Sequence, residues 1–234
     1  MKRDSLHRSF ISALSLFLCS SAFYAAAVHA QLDPTPYLDA AESCDPSLTY
    51  CLPVEIWLAT VSEEPVCTPE WLAAQLGRAQ THFAEIGVGF ELTEVHELPE
   101  TQAHTETRSD RDALGHDRWT EGIVHVFVVA QLANVDEEGF INGVHWRDRD
   151  DTAHRWVILS ATAWPLTLAH EFGHFFRLSH SEYDVSMMNR EAGVPFDELT
   201  FHEDEFERML GVISDRVEDD ELQNLVGDGD TESD

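Results

Sequence analysis

Apolar and polar residues alternate over residues 54–60 around Ile56 and Leu58, a period of two that predicts a strand with one buried face. Thr68 and Pro69 then give an N-cap and first-turn signal, and Leu72, Leu76, Ala79 and Phe83 recur at three- and four-residue intervals, so a helix is expected to about residue 86. Gly87 stops it. Residues 88–95 alternate again as a second strand, and an acidic, polar loop is expected over 97–120. The apolar run 123–130 predicts a strand buried on both faces, in which His125 reads as a hydrogen-bonded core histidine. Residues 140–147, with Asn142, Gly143 and charged flanks, look like an edge strand, and 156–161 like one more central strand. Pro165 suits the first turn of a following helix. Thr200 and Glu203 match a capping box ahead of Phe206, Met209 and Leu210, which predicts a last helix. A helix after the first strand, several strands, then a helix is the order of a mixed α/β fold.

The ends of the chain read differently. Lys2, Arg3 and Arg8 precede an apolar stretch over 10–28 that closes on Val28-His29-Ala30, the pattern of a signal peptide over residues 1–30. Ser12, Ser15, Cys19, Ser20 and Ser21 interrupt that stretch, and no later segment holds eighteen consecutive apolar residues, so no stable membrane insertion is expected. The protein is expected outside the cytoplasm, secreted or in a periplasm. Residues 31–47 read as a linker or short pro-segment, 48–215 as the folded domain, and 216–234 as an acidic, disordered tail.

Removing the leader leaves 43 acidic residues against 11 basic ones, all of them arginine. Such a surface repels nucleic acid and anionic membranes. A solvated surface without a partner accounts for it, with a salty habitat or attraction to cationic substrates as the alternatives. Cys44, Cys51 and Cys67 allow three pairings, and Cys44 with Cys51 is the nearest in sequence; a stapling role is expected.

The chemistry concentrates in His170-Glu171-Phe172-Gly173-His174. Histidines four apart on a helix share one face and reach one ion. His180 would sit roughly 280° around a continuing helix from His170, pointing away. The helix must therefore break, and a left-handed turn after Phe176 would return His180 to the metal. Three nitrogen ligands with a fourth position open describe a catalytic zinc rather than a structural one.

HEFGHFFRLSH followed by SEYDVSMMNR resembles the metzincin metallopeptidases, whose extended motif H-E-x-x-H-x-x-G-x-x-H precedes a methionine turn. The resemblance spans roughly residues 52–213 and is specific in the motif region. It implies a metzincin-like zincin fold: a twisted mixed sheet of about five strands with an active-site helix, a backing helix and a C-terminal helix. It implies one catalytic Zn2+ on His170, His174 and His180, Glu171 as general base, Met188 as the structural turn methionine, and a peptide or protein as substrate. The edge strand near Gly143 to Trp146 would cradle that substrate, with His145 and Trp146 as candidate lining residues. Two departures stand out. Arg177 occupies the usual glycine position, and no tyrosine follows Met188, although Tyr183 precedes it. The alternative is a zinc-binding relative that no longer cleaves. Nothing in the sequence speaks to oligomeric state.

Overall fold

The alternating segment forms β1 (Tyr50–Val61), and a computed structural model, which describes residues 32–226, builds the molecule around it. The expected signal peptide lies outside the described residues. Ahead of β1 stands α1 (Thr35–Ala40); after it come β2 (Glu64–Pro65), α2 (Pro69–Phe83), β3 (Val88–Leu98), β4 (His104–Thr105), α3 (Arg108–Gly115), β5 (Val124–Val129), β6 (Gln131–Leu132), β7 (Gly143–Arg147), β8 (Arg155–Ser160), α4 (Thr167–Phe175) and α5 (Glu203–Glu218). Strands β3, β1, β5 and β8 lie side by side and parallel, and β7 closes one edge antiparallel to β8. The short β2 folds back on β1, and β4 and β6 make a separate ribbon. With the motif helix α4, the backing helix α2 and the C-terminal helix α5, this is the mixed α/β layout expected from the sequence.

The sheet is buried on both faces. On one, Ile56, Leu58, Val126, Val128 and Leu159 pack under α2 and α4, where Phe83, Phe90, Phe172 and Phe201 meet edge to face or tilted. On the other, Ala59, Leu98, Phe127, Trp156 and Ile158 pack beneath Leu114 of α3. Every residue of β5 is buried, as its unbroken apolar run requires.

Local signals account for the boundaries. The Thr68 side chain accepts from the Trp71 N–H at 3.3 Å, and Gly87 takes φ 72° to end the turn that follows α2. Helix α4 has no side-chain cap of its own; buried Gln75 of α2 accepts from the Leu168 N–H at 3.1 Å and donates to the Trp164 carbonyl at 2.8 Å. The backing helix thus fixes where the motif helix starts.

Four expectations need correction. The polar segment 97–120 contains α3, started by a reciprocal capping box between Thr107 and Asp110. The box of α5 is His202 with Glu205, two residues later than the sequence pattern suggested. Within 31–47, Tyr37 is buried and donates to the Cys67 carbonyl at 2.8 Å, which anchors α1 to the core. The segment from 216 is tied to the domain at several points: Arg216 is 4% exposed, Leu222 is buried, and the Leu225 N–H bonds the Cys51 carbonyl at 2.8 Å. Cys44 is bonded to Cys51 and Cys67 is free and buried. Among the described residues no helix is long and apolar enough to cross a membrane.

Candidate metal centre

Helix α4 ends one residue after His174, and the way it ends decides where His180 goes. The Leu178 N–H bonds the Gly173 carbonyl at 2.9 Å and the Arg177 N–H bonds the His174 carbonyl at 3.0 Å. This paired closure requires a left-handed residue at the turn, and Arg177 takes φ 68°. A residue with a Cβ is strained there by about 1–2 kcal/mol. The reversal brings the three imidazoles together: ring centroids are 4.8 Å apart for His170 and His174, 4.7 Å for His174 and His180, and 5.5 Å for His170 and His180. One ring nitrogen of each lies within 4.8 Å of the other two.

The protons on two of these rings follow from their neighbours. His170 Nδ1 is 2.8 Å from the Met187 carbonyl, and His174 Nδ1 is 2.8 Å from the Leu178 carbonyl. A carbonyl only accepts, so both Nδ1 atoms carry hydrogen. Burial, their largest influence, lowers the pKa of both rings, His170 to about 4, and the nearby Arg190 adds to the shift. Neutral rings protonated on Nδ1 leave Nε2 as a bare lone pair, the state in which imidazole binds a metal. The donor set therefore fits a zinc ion held by His170, His174 and His180.

The carbonyl that orients His170 belongs to a braced turn. The Met187 N–H bonds the Thr200 carbonyl at 2.8 Å; the Met188 N–H bonds Ser186 Oγ at 2.9 Å; Ser186 Oγ donates to Glu205 Oε2 at 2.6 Å. Met188 is fully buried beneath α4, with Sδ 2.7 Å from where a Cβ on Gly173 would stand. Gly173, inside the motif, thus makes room for the methionine.

Glu171 faces β7. Its Oε2 accepts the His145 N–H at 2.7 Å, and it is 5% exposed. Burial pushes its pKa up to about 8, against the pull of the His145 N–H and the Arg111 guanidinium. A cation held by the adjacent imidazoles would oppose that shift. Gly143 permits the close approach of strand and helix, since a Cβ there would lie 2.7 Å from Thr167 Cγ2 and 3.0 Å from Glu171 Cγ. His145 lines the same cleft, of about 1160 Å³. Trp146 turns away into the core and donates Nε1–H to Asp112 at 2.7 Å. Tyr183 is also directed elsewhere, stacked on His202 with its hydroxyl 2.7 Å from Asp204.

A second group lies on the opposite face of the sheet. Glu55 of β1, Glu94 and His96 of β3 and His125 of β5 form one patch, because a bulge beside Val54 brings Glu94 level with Glu55. His96 Nε2 is 3.2 Å from Glu94 and 3.7 Å from Glu55, and its ring stacks on Trp57. His125 Nε2 lies 3.0 Å from the Thr120 backbone nitrogen and 3.3 Å from its carbonyl oxygen, and Nδ1 lies 3.6 Å from Glu55.

No family model and no curated sequence matches the chain. Among solved structures it is similar to metalloproteinase-II of Bacteroides fragilis (13% identity, TM-score 0.43, covering 73% of this chain and 54% of that one). It is similar to archaemetzincin of Methanopyrus kandleri (15%, 0.46, 70% and 96%) and to a zinc-dependent peptidase of Methanocorpusculum labreanum (11%, 0.40, 67% and 99%). The chain spans about half the length of the Bacteroides protein. The case for the chemistry of this chain rests on its own residues.

Proposed function

We propose that this protein is an exported zinc-dependent endopeptidase in which His170, His174 and His180 hold one ion and Glu171 is the general base. The observation that carries the reading is the placement of protons: two imidazoles keep Nε2 bare by donating Nδ1–H to backbone carbonyls, beside a third imidazole and a buried carboxylate. Zinc supplies Lewis acidity there, polarising a carbonyl oxygen and acidifying water near neutral pH.

Glu171 takes the proton of the attacking water and returns it to the leaving amine. The His145 N–H holds the carboxylate in one orientation through this transfer. Strand β7 positions the substrate. Residues 142 and 148 bond across to β8, so the alternation of an antiparallel pair leaves the backbone of Gly143, His145 and Arg147 on the other side, where the His145 N–H is given to Glu171 and the His145 carbonyl faces the cleft edge. An extended peptide adds to that side by main-chain hydrogen bonds. The leader-like N-terminus and the Cys44–Cys51 bond support export.

Metal analysis of the purified protein, with casein cleavage measured before and after chelation and after zinc is restored, tests the reading. One zinc per chain and chelator-sensitive cleavage are expected. A protein that stays metal-free in excess zinc ends it, and one that binds zinc without cleaving leaves only the inactive relative.

A further inference from the structure

The charge of the cleft runs against the charge of the molecule. Outside the leader acidic residues outnumber arginines 43 to 11. Yet Arg111, Arg147, Arg155, Arg177 and Arg190 line the cleft, against three acidic residues, Asp136, Glu137 and Glu171. Nearly half of the arginines of the mature chain thus line this one cleft. Among the described residues Arg147, Arg155, Arg177 and Arg190 make no ion pair within 4.0 Å, whereas Arg108, Arg149 and Arg216 have Asp136, Asp112 and Glu221. Arg147 and Arg177 act on Arg155 by repulsion, and Arg190 acts on all three imidazoles. Carboxylates are abundant in this chain, yet only Glu221 acts on Arg155 by attraction, and it forms its ion pair with Arg216.

Arg177 adds an independent observation. It is exposed, lines the cleft, and occupies a left-handed turn at φ 68° where glycine would be free of strain. An arginine kept in a strained backbone position beside a candidate site marks a functional constraint on its side chain.

We infer that the cleft selects acidic polypeptide: segments rich in Asp and Glu, whose side-chain carboxylates pair with Arg177, Arg190 and the Arg147–Arg155 group while the backbone lies along β7. The inference rests on the peptidase reading for the scissile chemistry. It reverses the expectation drawn from net charge, because field lines in a cleft are set by its own walls. Guanidinium groups suit the task, since each presents a fork of donors to a carboxylate.

The test uses one peptide sequence with blocked termini in three versions, carrying Glu/Asp, Gln/Asn or Lys/Arg at the same positions. Binding is read by fluorescence anisotropy on zinc-loaded Glu171→Gln, and cleavage on the wild-type protein. The acidic version is expected to bind about tenfold or more tighter than the neutral one, and Arg177→Gly or Arg190→Gln, each in the Glu171→Gln background, to weaken it about two- to fivefold, the range of partly exposed ion pairs. Arg177→Gly is also expected to raise the melting temperature, because glycine relieves the turn; damage to the fold would lower it. Equal or tighter binding of the neutral or basic version, or unchanged acidic binding in both arginine variants, overturns the inference. Cleavage of all three versions at one rate, with no charge selectivity in binding, overturns the inference and leaves the peptidase reading standing. Charge-selective binding without cleavage of any peptide supports the inference and removes the peptidase reading.

Discussion

Two histidine clusters lie on opposite faces of the same sheet, and they differ in what their ring nitrogens face. On the helical side, carbonyl oxygens hold the hydrogens of His170 and His174 on Nδ1, and the inward nitrogens are bare. On the other side, Thr120 covers Nε2 of His125 with its own backbone and hydroxyl, while His96 stands between two carboxylates. The first group offers three imidazoles, and the second offers His96 with Glu55 and Glu94. The first is a set of nitrogen donors that fits a cation; the second sets its imidazoles against carboxylates. Histidine content therefore does not identify a metal site, and the partner of the second ring nitrogen does.

The largest expected effect that sharpens this comparison is on turnover. Glu171→Gln keeps the imidazoles and the His145 contact but removes the base, so peptide cleavage should fall about 10²–10⁴-fold with one zinc still bound. Next comes metal affinity. His174→Ala should weaken zinc binding by more than about 100-fold, beyond the cost of losing an outer partner, whereas His96→Ala should leave stoichiometry at one. Two zinc ions per wild-type chain, falling to one in His96→Ala, would break the comparison.

Stability effects are smaller. Gly173→Ala drives a Cβ into Met188 and should cost roughly 1–3 kcal/mol by thermal melting. Acid should loosen the fold through its buried histidines on both faces, His125 among them. Burial lowers His125 from 6.5 to about 4, so the unfolded chain takes up protons before the folded one. The neutral ring's contribution is complete above pH 6.5 and is lost as pH falls towards 4, on the order of 2–3 kcal/mol. Urea midpoints across that range should fall less steeply in His125→Asn; equal slopes would show that His125 does not carry the effect. His96→Ala, which removes a half-exposed pair, should cost under about 1 kcal/mol.

Legibility of the sequence tracked how local the cause was. Strand β5 and helix α2 announce themselves through an unbroken apolar run and a three-four stripe capped by Thr68. Helix α3 has only Ala113 and Leu114 to show a face, although the Thr107–Asp110 box was readable. Leu222 and Leu225 are too sparse to form a pattern, and their partners, Gly122 and Cys51, are distant in sequence. At the candidate site the three histidines and the need for a break were readable from spacing. The Gly143 approach and the Gly173–Met188 contact came only from packing. The arginines of the cleft are scattered from 111 to 190 and converge only on folding.

The brace from Glu205 through Ser186 ties the methionine turn to a helix that follows it in the chain. The carbonyl that sets the His170 hydrogen therefore takes part of its support from α5, and part from Thr200 just ahead of it. A truncation before Thr200 would keep all three histidines and lose both supports of the turn that orients the first of them.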